Sequence, residues 1–171
     1  MSAFKYAFLA LLTSCAAAVA VGATSDAEQP TMSELGMERL RSFAGDWYTL
    51  GEDGKPTDEL VSSVRVTAGG HAVHETHWPG AEHEMLTVYY IEEGELTLVH
   101  YCMLGNQPKM RATSVTDSEL AFECVGMSDE KQSHMHAARI TSEGANHNKL
   151  GWKNFDEGEE AEAIVFEVVR K

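Results

Sequence analysis

Positive charge is what this sequence has least of. Its 171 residues carry 13 Lys and Arg against 27 Asp and Glu, a formal net charge of −14 at pH 7. A field of that sign repels phosphate backbones, which argues against nucleic acid as a partner and disfavours acidic substrates and anionic lipid surfaces. Motifs with a built-in reaction are missing too. There is no Gly-x-Ser-x-Gly elbow, phosphate-binding loop, dinucleotide fingerprint, His-Glu-x-x-His pair or paired Cys-x-x-Cys. No catalytic residue follows from the sequence, so the weight falls on binding rather than catalysis, with enzymatic activity left open. Cysteine is scarce, with only Cys15, Cys102 and Cys124. What remains is an ordinary globular composition, 43% hydrophobic and 23% charged, in a length that suits one domain.

The one long apolar run is N-terminal. Lys5 precedes a stretch from Tyr6 to Ala23 that ends in the small residues Val21-Gly22-Ala23. This pattern predicts a cleaved signal peptide over residues 1–23, followed by a polar linker over 24–32 and a domain over 33–171. The expected location is therefore periplasmic or extracellular. Leu12-Thr13-Ser14-Cys15 also matches a bacterial lipobox. A membrane is thus a partner only if Cys15 is acylated, which would make the chain a lipid-anchored envelope module. A transmembrane anchor is the weaker reading, because the run is at the short limit for spanning.

The domain begins with a short helix expected over 33–44. Thr31 or Ser33 caps it, Arg39 and Arg41 lie near its negative end, and Leu40, Phe43 and Ala44 form its apolar stripe. Strands follow, expected at 46–51, 59–68, 71–78, 84–92, 95–104, 109–116, 119–126, 132–142, 147–155 and 162–170. Explicit turns separate them, such as Gly69-Gly70, Pro79-Gly80 and Glu93-Gly94. Ten strands on short links predict an all-β, up-and-down antiparallel barrel, with a β-sandwich as the alternative that needs longer crossovers. In that order Cys102 and Cys124 lie two strands apart, about 9–10 Å, beyond the roughly 7 Å a disulfide spans.

Gly45-Asp46-Trp47 at the first strand and Arg170 near the chain end resemble the pattern of the calycins, which include lipocalins, fatty-acid-binding proteins and nitrobindin-like domains. The resemblance implies that Gly45, Trp47 and Arg170 are structural, with the guanidinium stacked over the indole at one end of the barrel. Pro79-Gly80, His83-Glu84-Met85, the run from His100 to Pro108 and His134-Met135-His136 resemble a bacterial family of lipocalin-like domains. Its hallmark is a His-Tyr-Cys-x-x-Gly-Asn-Gln-Pro segment. That likeness covers residues 40–171 and implies the barrel but no assigned reaction. In the haem-binding nitrobindin branch a His near the last strands ligates iron. Here only His147 is available, which speaks against haem.

His100 with Cys102, and His134 with His136, are i, i+2 pairs, and each is expected on one strand face. Facing each other across the lumen, they would orient a small, partly apolar ligand inside the barrel. His83, Glu84 and Asn106 would stand at the rim, with Tyr90 and Trp152 as aromatic wall. The same His100, Cys102, His134 and His136 are a donor set that zinc or another transition metal accepts. A purely structural hydrogen-bonded network is the third reading. His71, His74 and His77 are expected to be solvated strand residues.

Overall fold

A computed structural model of the chain describes residues 29–127, 131–156 and 159–171. The signal peptide expected over 1–23, Cys15, and positions 24–28 of the linker lie outside these residues.

The helix α1 runs over Met32–Ser42. A reciprocal capping box starts it. Thr31 Oγ1 accepts from the Glu34 N–H at 3.2 Å, and Glu34 Oε2 accepts from the Thr31 N–H at 2.8 Å. Its buried face is Gly36, Met37 and Leu40, with Phe43 just past the last turn. Ala44 is exposed, contrary to the expected stripe, because the helix ends before it. A Cβ on Gly36 would fall 2.5 Å from Leu96 Cδ2, so glycine is what lets the helix lie this close to the sheet.

Ten long strands follow: β1 (Gly45–Leu50), β2 (Pro56–Thr67), β3 (Ala72–His77), β4 (Met85–Glu92), β5 (Glu95–Tyr101), β6 (Lys109–Val115), β7 (Glu119–Gly126), β8 (His134–Gly144), β9 (His147–Asp156) and β11 (Ile164–Val169). The stub β10 (Glu159–Glu160) only pairs with β9. Each long strand pairs antiparallel with the next, and β11 pairs with both β9 and β1, through Tyr48↔Val169 and Thr49↔Val168. The ring is therefore closed, which leaves none of the ten long strands as an edge.

Alternation fills the interior. Leu96 and Leu98 on β5, Leu120 and Phe122 on β7, and Val168 on β11 are fully buried. The interior void lined by Trp47, Glu75, Tyr89 and Leu150 holds about 10 Å³, room for one water at most. The body of the barrel is thus a packed core. The expected ligand space in the middle of the lumen is filled by large side chains in this structure.

The two ends differ. At one, α1 covers the interior, packing against β3, β4, β5 and β6. Arg170 lies 4.4 Å over the Trp47 ring, and its Nη2 donates to Ser42 O at 2.7 Å. The Trp47 Nε1–H donates to Phe43 O at 2.9 Å. Gly45 sits beneath Arg170 at φ 142°, a conformation that a side chain would strain. The opposite end is the mouth, where β3, β5 and β7 finish and β4, β6 and β8 begin.

Candidate functional site at the barrel mouth

Inward parity on β3 selects Val73, Glu75 and His77, all buried. On β4 it selects Thr87 and Tyr89, and on β5 Leu96, Leu98 and His100. These positions place a line of polar groups inside an otherwise apolar barrel. The Ser62 hydroxyl donates to Glu75 Oε1 at 2.6 Å and the Tyr89 hydroxyl to Glu75 Oε2 at 2.8 Å. His77 Nδ1 stands 3.6 Å from Glu75 Oε1. Thr87 Oγ1 lies 2.9 Å from both His77 Nε2 and His100 Nδ1.

The Thr87 hydroxyl has one proton, so it donates to one imidazole and accepts from the other. If it donates to His77 Nε2, the His77 proton is on Nδ1, facing the Glu75 oxygen. His100 then donates Nδ1–H to Thr87 and keeps a bare lone pair on Nε2. The reverse order would set the His77 Nδ1 lone pair against a carboxyl oxygen, which is repulsive. The first arrangement is therefore favoured. His100 Nε2 is buried without a hydrogen-bond partner among the described residues. Burial pushes the His100 pKa down to about 3, helped by the neighbouring His77. Burial also lowers that of His77, against the pull of Glu75. Both imidazoles are neutral at ordinary pH.

An aromatic layer covers this line. The Trp152 ring stands edge-on to His77 at 4.9 Å, and Trp78 contacts Trp152 and Phe166 at 5.4 Å each. Exposed His83 lies against Trp78, ring centroids 5.0 Å apart and tilted by 56°. Trp78 has φ 46°, a left-handed conformation costly for so large a residue. Glu84 closes the turn beneath it by accepting from the Gly80 N–H at 2.5 Å. Asn106 is buried at the rim and donates to Ser133 O at 2.7 Å, tying the β5–β6 turn to the segment before β8.

A second group lies beside the first. His134 Nδ1 is 2.7 Å from Gln132 O, and His134 Nε2 is 3.1 Å from His136 Nδ1. Phe155 packs on both rings, at 5.4 and 5.6 Å. Cys124 on β7 completes the cluster: its Sγ and one nitrogen of each imidazole all lie within 4.8 Å of one another. Burial lowers the His136 pKa, with His134 adding to it.

The four residues expected to face each other thus fall into three places. His100 belongs to the interior line. His134 and His136 form the second group, but with Cys124 rather than Cys102. A bulge between Met135 and Ala137 shifts the β8 register, so Met135, not His136, enters the core with Ala138 and Ile140. Cys102 falls outside both groups because β5 stops at Tyr101. The chain turns there, with Gly105 N–H donating to Cys102 O at 2.9 Å, and the Cys102 thiol faces Met85 Sδ at 3.9 Å. No disulfide joins Cys102 to Cys124. Tyr90 is not interior wall: Tyr89 takes the inward position and Tyr90 the outward one. His77, expected in solvent, is buried; the alternation Val73, Glu75, His77 was the signal for it. His147 stands with Glu143 and Glu167 on the surface, where Lys149 already pairs with both carboxylates.

No protein-family model matches this chain, and no curated protein matches it.

Proposed function

We propose that this is an exported lipocalin-like barrel that binds a small, mostly apolar molecule at its mouth. Trp78, Trp152 and Phe166 supply the apolar contact and His100 Nε2 the polar anchor. The observation that carries this reading is the unpartnered His100 nitrogen, since a buried polar atom without a partner costs about 1–3 kcal/mol. A site of that kind is retained where something else supplies the missing bond. The bare lone pair accepts, so the ligand brings a donor, and the net charge of −14 disfavours an anion. The strained Trp78 backbone lowers the cost of moving its ring aside to let the ligand reach His100. Export rests on the Lys5-led apolar segment alone.

The test uses N-phenyl-1-naphthylamine, a neutral aromatic probe with one N–H donor. It should gain fluorescence on binding the mature protein and compete with whatever co-purifies. His100→Leu should stay folded by circular dichroism and bind at least about tenfold more weakly, the worth of one lost hydrogen bond. A His100→Leu protein that binds as well as the parent, or a parent that binds none, contradicts the reading.

A further inference from the structure

We infer that Cys124, His134 and His136 form a binding site for a thiophilic transition-metal ion of the Zn²⁺ class, separate from the mouth site built on His100. The inference begins with a tautomer. Only an N–H can lie 2.7 Å from a carbonyl oxygen, so His134 carries its proton on Nδ1, facing Gln132 O, and presents a lone pair at Nε2. A backbone carbonyl fixing the outer nitrogen of an imidazole is the usual support for a metal-ligating histidine. That lone pair points at His136 Nδ1, 3.1 Å away. Two nitrogens bound to one tetrahedral zinc at about 2.0–2.1 Å stand roughly 3.3 Å apart. The two imidazoles are therefore already at ligand spacing, with a shared proton where the ion would sit. Binding needs His136 to move its proton to Nε2 and the two rings to turn slightly, so that their lone pairs converge on a point beside the line between them.

Regular strand geometry does not produce this arrangement. Side chains two apart on a strand stand parallel, whereas here the bulge between Met135 and Ala137 turns His136 toward His134. Phe155 then braces both rings from one side. The thiol arrives from the neighbouring strand. Cys124 Sγ lies within 4.8 Å of one nitrogen of each imidazole, and a zinc-bound sulfur at about 2.3 Å would stand roughly 3.6 Å from each coordinating nitrogen. Cys124 therefore closes the site by a side-chain adjustment within the cluster, losing its proton as it does so.

One thiolate and two imidazoles select zinc or copper over calcium and magnesium, which take oxygen ligands. The three donors line a pocket of about 310 Å³ together with Met127 and Phe155. A fourth coordination position thus opens on a cavity rather than on packed side chains, as in zinc sites that exchange a ligand. The overall negative charge draws cations toward the protein.

Cobalt(II) is the probe, because it follows zinc's geometry and reports its ligands by colour. Titration of the reduced, metal-free mature protein should give the visible bands of tetrahedral cobalt and a near-ultraviolet thiolate charge-transfer band. One equivalent of zinc should bleach both. Cys124→Ser should lose the charge-transfer band, and His136→Ala should bind zinc at least about a hundredfold more weakly. That is the upper end of what an outer-shell change costs, and a direct ligand costs more. Cys102→Ser and His100→Leu should match the parent, which keeps failure of this site distinct from failure of the mouth site. Circular dichroism of each variant establishes that it is folded. A parent protein that takes up no cobalt overturns the inference. So does a charge-transfer band that survives in Cys124→Ser or vanishes in Cys102→Ser.

Discussion

The two ends of the barrel are held by different kinds of contact. At the helix end the interior is sealed by large apolar groups, Met37, Leu40, Phe43 and Trp47, and by backbone carbonyls that accept from Trp47 and Arg170. Toward the mouth, His77, Thr87 and His100 are joined side chain to side chain, with Glu75 deeper in the barrel, 3.6 Å from His77 Nδ1. The first arrangement is indifferent to pH over the range where proteins are stable, because an indole and a guanidinium do not titrate there. The second depends on where a few protons sit.

The sharpest way to break the comparison is at the helix end. Trp47→Ala removes a buried aromatic together with the platform for Arg170. It should cost roughly 3–5 kcal/mol, a large share of a domain's stability. Thermal unfolding measures this, and an unchanged midpoint would show that the helix end does not hold the fold.

Acid should act on the mouth instead. The folded protein resists protonating His77 and His100, whereas the unfolded chain protonates them near the ordinary value of 6.5. The unfolded state therefore binds more protons as pH falls, and stability drops from about pH 6.5 down to about pH 3. The loss should reach a few kcal/mol across that window, read from denaturant midpoints at successive pH values. His100→Leu should flatten this slope, while Trp47→Ala should lower the whole curve without changing its shape. An equal slope in the His100→Leu protein would remove that residue from the account.

Thr87→Val is the smallest and most local change. It keeps the shape but leaves both histidines short of a partner, at about 1–3 kcal/mol. Probe binding at the mouth should weaken as well, because His100 Nδ1 loses the contact that fixes its tautomer. A Thr87→Val protein of parental stability would mean that the hydroxyl does not join the two rings.

Most of the fold was legible because it depends on local signals. Period-two alternation and Gly- or Asp-bearing turns marked the ten strands, and Thr31 or Ser33 marked the helix start, of which Thr31 is the cap. The site was legible only in part. His100 followed from the parity of Leu96 and Leu98. His77 obeyed the same rule through Val73, but its neighbours, exposed His71 and half-buried His74, masked it. The exchange of Cys102 for Cys124 could not be read, because it depends on where β5 stops and on a bulge in β8. Both are settled by pairing with neighbouring strands rather than by the residues themselves. Tyr89 and Tyr90 differ by one step of register, which the sequence at that point does not mark.

The central claim is that the mouth holds an ordered chain of protons ending in a bare nitrogen on His100. Nitrogen-15 NMR of the histidine side chains reads this directly. The account predicts that His100 is neutral, protonated at Nδ1 and unprotonated at Nε2, and that it stays so as the pH is lowered through 6.5 toward the acid transition. A His100 that carries its proton on Nε2, or that titrates near 6.5 in the folded protein, would contradict it.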